Sequence, residues 1–282
     1  TREDWGGKGF NVSRALKALG SHSLAMGFAG GATGEKLAAG LHGLGIATDL
    51  IPVAGETRTN IVISNRAGTQ YVKVNEPGPT TSPAEAAAFF DRVTLQARPG
   101  DLWALCGSLP PGLPTDFYAQ LIGVLHERGA KVLLDTSGEP LRLGIGAQPY
   151  AVKPNLPEVA AWLGHPVEGA AALAEAVDSL MTQGITLVAL SLGSEGLILA
   201  TDDTRVWMRP PEVAALNPVG AGDALVAGLL WALSQALPLA EVAAWGVAAG
   251  TAAAMREGVS VGTRAEVQAI RQRVTRVPWP SG

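Results

Sequence analysis

Between residues 82 and 191 short apolar runs take turns with amphipathic stretches, and few folds accept that order. The periodicity predicts helices over 82–93, 115–128, 156–163 and 167–183, interleaved with strands over 101–106, 131–135, 151–153 and 186–191. Such strands carry no polar face, so both of their faces need cover. A mostly parallel sheet joined by right-handed helical crossovers supplies it, and the fold class is α/β.

The flanking segments extend the pattern. From Asn11 the stretch "NVSRALKALG" places Val12, Ala15, Leu16 and Leu19 on one helical face and stops at Gly20. A short buried strand at "SLAMGFAG" and a helix at "TGEKLAAGLHGLG" follow. Residues 59–64 and 69–74 read as two strands around the turn "NRAG". This hairpin, with its approaches over roughly 55–76, is an excursion from one domain spanning 1–282. A second hairpin pairs 196–200 with 205–208, and the remainder is helical. The opening "TREDWGGKG" is loop-like, and such a loop in a βα fold leaves the end of a strand. A native N-terminal strand outside this sequence is therefore expected.

Charge and cysteine content narrow the partners. With 21 Lys and Arg against 25 Asp and Glu the net charge is −4, without long runs of one sign. Neither a nucleic-acid footprint nor a polybasic membrane patch is visible. The longest apolar runs fall short of the roughly 20 residues that span a bilayer. Cys106 has no second cysteine to bond, which favours a reducing compartment, the cytoplasm. Small anions remain as partners, because backbone N–H groups bind them without any basic excess.

The stretch "LNPVGAGDALVAGLL" places Gly220 and Gly222 ahead of Asp223 at the mouth of an apolar helix. The glycines permit close backbone approach, and the helix start offers free N–H groups to an anion. A carboxylate beside an anion site hinders binding, but it is useful as the base for a hydroxyl that attacks phosphorus. The structural alternative is a first-turn acid after two packing glycines. No Gly-Lys-Ser/Thr follows, so this is not a Walker A loop.

Five further stretches carry polar residues suited to a phosphorylated sugar, a nucleotide or another ligand. "DWGGKGFN" is a second glycine turn opening a helix, with Lys8 and Asn11 in reach of a polar ligand, or else a surface turn with a solvated lysine. Arg58, Asn60 and Lys73 lie along the hairpin as ligand contacts or as edge-strand guards. In "VKPNLPEVAAWLG", Asn155 and Glu158 are either a capping box or oxygen groups that attract magnesium through water. "SLGSEG" brings Ser191, Gly193 and Gly196 to the end of an apolar strand. Ser108 in "CGSLPPG" ends another strand without a GxSxG context. The four histidines are dispersed, and no transition-metal site is expected.

Taken together, "GGKGFNVSRALKALG", "KPNLPE" and "VGAGDALVAGLL" resemble, in order and over essentially the whole chain, the ribokinase-like sugar kinase family in its phosphofructokinase B branch. "TRTNIVI", "NEPGPT", "GSLPPGLP" and "DTSGEPL" are similar to its phosphosugar kinases. The resemblance implies a three-layer α/β/α fold with a small β lid, used for homodimer formation, and ATP and Mg2+ as co-substrate and cofactor. It implies Asp223 as the base, with Gly220, Ala221 and Gly222 around the transferred phosphoryl group. Gly6, Gly7, Lys8 and Asn11 match the sugar-side motif, with Arg58, Lys73 and Ser108 as phosphosugar contacts. Asn155 and Glu158 match the magnesium-recruiting element, and Lys153, Ser191, Gly193 and Gly196 fall around the nucleotide. The implied reaction is phosphorylation of fructose 1-phosphate to fructose 1,6-bisphosphate. The runners-up are a tagatose 6-phosphate kinase and a non-catalytic sugar-phosphate-binding protein. Family members begin with an "NPA-x-D" strand whose aspartate holds sugar hydroxyls; Trp5 and Pro218 also depart from the family pattern.

Overall fold

The computed structural model describes residues 3–64, 71–217, 219–260 and 262–279, without the side chains of Val62, Ser64, Tyr71 and Lys73. The chain begins with α1 (Lys8–Ala18), β1 (Leu24–Ala29), α2 (Gly31–Gly43) and β2 (Ala47–Pro52), followed by β3 (Ile61–Ser64) and β4 (Tyr71–Val74). Next come α3 (Pro83–Gln96), β5 (Leu102–Cys106), α4 (Phe117–Glu127), β6 (Lys131–Asp135), α5 (Gly138–Gly146) and β7 (Ala151–Val152). Two helices, α6 (Leu156–Leu163) and α7 (Gly169–Met181), lead to β8 (Leu187–Ser191), β9 (Leu197–Ala200) and β10 (Arg205–Arg209). The chain closes with α8 (Ala221–Ser234), α9 (Leu239–Ala254), α10 (Arg264–Arg271) and β11 (Thr275–Val277).

Seven strands hydrogen-bond in the order β11-β10-β9-β8-β7-β6-β5. Pairing is parallel from β5 through β8 and antiparallel from β8 through β11, while β1 and β2 form a separate parallel pair. The alternation of side chains explains the layers. In β8, Leu187 and Ala189 face α1, α8, α9 and α10, whereas Val188 and Leu190 face the layer of α3 to α7. Each of these four residues is at most 1% exposed. Burying a leucine or valine this completely stabilises by about 1.5–3 kcal/mol, so the two-faced core dominates folding.

Local chemistry sets several boundaries. Ser82 and Glu85 form a reciprocal capping box at the start of α3, with Pro83 in its first turn. Thr263 and Glu266 do the same for α10. In α8 the residues from Asp223 to Ala232 are all buried, and a Cβ on Gly228 would lie 2.5 Å from the Trp245 carbonyl of α9. The glycine lets the two helix backbones touch. Three elements are absent from the sequence expectation: β2, α5 and β11. Gly138 and Gly146 bound α5, and Gly144 inside it admits Leu134, whose Cδ2 would lie 2.5 Å from any Cβ there. Close packing needed that glycine, and the same glycines hid the helix. The short β11 continues the sheet edge where only helix was expected.

The β3–β4 hairpin stands apart from the main sheet as expected, although its "NRAG" turn lies outside the described residues. Its register opposes Ile61 to Val74 and Ile63 to Val72. These four side chains share one face and are 49–62% exposed, an apolar patch on a two-stranded ribbon.

Among the described residues β1 bonds only β2 and β5 only β6, so each keeps one edge unpaired. Both edges border one cleft of about 2860 Å³, lined on one face by Phe89 and Phe117 and on the other by Leu16 and Leu230. At the C-terminal ends of the parallel strands this cleft opens into the polar groups described next. Loops at that end are where parallel sheets place their ligands.

Candidate active site

Asp223 occupies the first turn of α8 and is 6% exposed. Its Oδ2 accepts a hydrogen bond of 2.7 Å from Asn11 Nδ2, across 212 residues of sequence. Burial raises the Asp223 carboxyl above its ordinary range; the Asn11 bond opposes this, the nearby Asp135 charge adds to it, and Lys8 and Lys153 oppose it. A desolvated carboxylate with a raised pKa is suited to accepting a proton from an alcohol.

The turn before it is held from below. Gly220 has φ +83°, which a residue with a side chain rarely adopts. Asn217 Oδ1 accepts from the Val219 N–H at 3.0 Å, and Asn217 Nδ2 donates to the Gly258 carbonyl at 3.0 Å. The Leu216 and Asn217 N–H groups both donate to the Ala254 carbonyl, tying the turn to the end of α9. Pro218 lies outside the described residues. A Cβ on Gly222 would meet nothing closer than Lys153 Nζ, at 3.8 Å. Its lack of a side chain leaves room for a ligand rather than for a protein neighbour.

Asp135 was given no role by sequence reasoning, yet it links the two sides of the cleft. Its Oδ1 lies 3.3 Å from Lys8 Nζ and 3.1 Å from Lys153 Nζ. Asp135 and Lys153 are almost fully buried at 1% and 5%, whereas Lys8 is 41% exposed. For Lys8, desolvation lowers the pKa, but Asp135, Asp223 and Glu158 together outweigh it and the net shift is upward. Lys8 therefore stays charged and points its exposure at the cleft. Asn11 Oδ1 and Asp135 Oδ2 are buried without a protein hydrogen-bond partner. Buried orphan acceptors are uncommon, and both of these residues line the cleft, where a polar ligand or water could reach them. The available signal for Asp135 was an acid closing the apolar strand "KVLLD".

The other expected residues divide. Gly7 has φ +135° and, with Gly6, forms the turn that starts α1, both lining the cleft. Arg58 Nη2 donates to Ser108 Oγ at 3.4 Å, so these two meet at the cleft between the hairpin and the end of β5. The Lys73 side chain lies outside what the structure describes. Asn155 and Glu158 form the reciprocal capping box of α6: Asn155 Oδ1 accepts from Glu158 N–H at 2.9 Å, and Glu158 Oε2 accepts from Asn155 N–H at 2.9 Å. Both still line the cleft, as do Lys153 and Ser191. The Ser191 hydroxyl donates to the Pro154 carbonyl at 3.1 Å.

Ala221 and Gly222 lead the N-terminal turn of α8, but only Gly222 lines the cleft. Gly193 has open surroundings, whereas a Cβ on Gly196 would sit 1.9 Å from the Met208 carbonyl. Gly196 is needed for the close passage of β9 beside β10. Among the described residues no three His, Cys, Asp or Glu side chains gather as a metal cage. Glu158, a carboxylate on the cleft wall, is chemically suited to attract a magnesium ion through water.

Comparison with known proteins gives the family and the fold. The description "pfkB family carbohydrate kinase" matches residues 1–265. The 1-phosphofructokinase of Xanthomonas campestris pv. campestris is 42% identical over 236 residues, which are 82% of this chain and 74% of that protein. The 1-phosphofructokinase of Bacillus subtilis is 35% identical over 275 residues, 96% of this chain and 88% of that protein. Phosphofructokinase-2 from Escherichia coli, solved in complex with potassium, superposes with a TM-score of 0.91 at 29% identity, covering 95% of this chain and 87% of that one.

Proposed function

The chain belongs to the pfkB family of carbohydrate kinases, and from that premise we propose that it phosphorylates fructose 1-phosphate with ATP to give fructose 1,6-bisphosphate. The observation that carries the chemistry is Asp223, buried in the first turn of α8 beside an open glycine turn. In the proposed step the C6 hydroxyl oxygen attacks the terminal phosphorus. The new O–P bond forms as the bond to the ADP oxygen breaks, and Asp223 takes the hydroxyl proton. The Gly220–Gly222 turn and the start of α8 supply N–H groups to the charge on the transferred group. Lys8, Asn11, Arg58 and Ser108 form the sugar side of the proposed site. Lys153, Asn155, Ser191 and Gly193 border the nucleotide. The names of the curated relatives support the choice of acceptor. Phosphorus NMR of fructose 1-phosphate incubated with ATP and the protein tests the reading: a second sugar phosphate ester should grow as ADP appears. ADP with only inorganic phosphate would contradict it.

Magnesium bound with the nucleotide would screen the phosphate charge, and Glu158 is the residue proposed to attract it through water. Glu158→Gln keeps an oxygen for the capping bond to Asn155 N–H. We expect it to raise the magnesium concentration needed for half-maximal rate more than it changes sugar KM. Overlapping magnesium titrations of parent and variant would leave Glu158 as a helix cap alone.

Two parts of the assembly belong to the same proposal. The exposed Ile61, Ile63, Val72 and Val74 face favours pairing of two lids in a homodimer. The unpaired edges of β1 and β5, both bordering the cleft, favour one more extended strand between them, which would pair the N–H and C=O groups that each edge leaves open. A reducing cytoplasmic setting suits the single Cys106, whose thiol burial holds above its ordinary pKa.

A further inference from the structure

The Gly6–Gly7 turn is joined to α1 by the Asn11 N–H, which donates to the Gly7 carbonyl at 2.8 Å, and Gly7 lies close to the Phe10 ring. A Cβ at Gly6 would meet only the Asp4 carbonyl, 3.8 Å away, and Gly7 adopts a backbone conformation open only to glycine. This turn decides where Lys8 and the start of α1 stand. The residue just before it, Trp5, is fixed in a way that neither composition nor periodicity announces.

Gly40 lies well inside α2, where glycine is disfavoured relative to alanine. A Cβ there would fall 2.3 Å from the Trp5 Cδ2 and Cε2 atoms and 2.4 Å from Nε1. The indole thus lies directly on the helix backbone, in a notch that only glycine provides. Its surroundings are apolar: Trp5 and Phe10 pack on Ala25, Leu37, Leu41 and Ile46. The Trp5 carbonyl in turn accepts from Arg14 Nη1 of α1 at 3.3 Å. Side chain and main chain of one residue are therefore secured to two different helices, immediately ahead of the glycine pair.

We infer that Trp5, seated in the Gly40 notch of α2, is a positioning residue that sets the Gly6–Lys8 turn for the phosphorylated sugar. This rests on the sugar-side reading of Lys8. An added methyl group at Gly40 would lift the indole, shift the turn and move Lys8 away from its ligand, without touching the nucleotide side. Ångström-scale displacement of a positioning group is enough to cost an order of magnitude or more.

The test compares kcat and both KM values, with fructose 1-phosphate and ATP as substrates, in the parent, Gly40→Ala, Trp5→Leu, the double variant and Lys8→Met. Gly40→Ala should raise the fructose 1-phosphate KM about 10-fold with ATP KM within about two-fold, and without a lower Tm, since alanine favours the helix. The double variant should be no worse than Trp5→Leu alone, because the methyl group then has no indole to displace. Additive effects in the double variant would overturn the inference, as would an equal rise in both KM values with a fallen Tm. An unchanged sugar KM in Gly40→Ala, with a raised one in Lys8→Met, would also overturn it while leaving the sugar-side reading intact. If neither variant moves sugar KM, the sugar-side reading itself fails.

Discussion

Asp223→Asn is expected to lower turnover by about 100-fold or more, the scale of losing a general base, while ATP still binds and the folded protein becomes more stable near neutral pH. Both effects come from the same burial. The carboxylate is desolvated and its folded-state pKa stands above the ordinary value of 3.8, so the folded chain binds the proton more tightly than the unfolded chain. Stability is then lost as pH rises from the ordinary carboxyl range through the raised value, and it stays lower above that. Asparagine keeps an oxygen to accept from Asn11 and does not ionise. The Tm difference between variant and parent should therefore vanish in acid, below the ordinary carboxyl range, and reach its full size at neutral pH. Turnover within about three-fold of the parent would remove Asp223 from the base role. A variant that is less stable at neutral pH would mean that its charge serves the buried lysines more than burial harms it.

Lys8→Met should separate phosphorylated from plain sugars. The Lys8 ammonium is held charged by Asp135, Asp223 and Glu158 while remaining 41% exposed to the cleft. A charge-assisted contact of about 1.5–3 kcal/mol corresponds to roughly 10- to 100-fold in kcat/KM for fructose 1-phosphate. Fructose, which brings no phosphate, should lose far less. Lys153 still pairs with Asp135 at 3.1 Å, so the buried acid is not stranded by the substitution. Equal losses for the two sugars would instead put Lys8 on the group being transferred.

The layers, the separate hairpin and the position of Asp223 at the start of an apolar helix were legible because each leaves a local trace. Uninterrupted apolar strands announced the two-faced sheet, and an acid after a glycine turn announced Asp223. Asp135 left almost none: its importance comes from meeting Lys8 and Lys153, which are 127 and 18 positions away, and no window of sequence contains that junction. The same holds for Gly40, which looks like a flaw in an ordinary helix until Trp5 is seen lying on it. Asn155 and Glu158 show the converse. Their spacing allowed a cap or a magnesium lure, and the capping box is fully formed in the folded chain, so geometry alone does not assign the second task. Glycines also concealed α5, and at Gly196 backbone crowding from Met208 by itself requires a glycine.

The central claim is phosphoryl transfer to a sugar that already carries a phosphate, and a single acceptor screen tests it. ATP consumption would be measured with fructose 1-phosphate, fructose 6-phosphate, tagatose 6-phosphate, fructose, ribose and adenosine. Fructose 1-phosphate should lead in kcat/KM, by orders of magnitude over the three unphosphorylated acceptors. A lead for tagatose 6-phosphate would move the assignment to that sugar. A lead for fructose, ribose or adenosine, or no turnover with any acceptor despite ATP binding, would contradict the account.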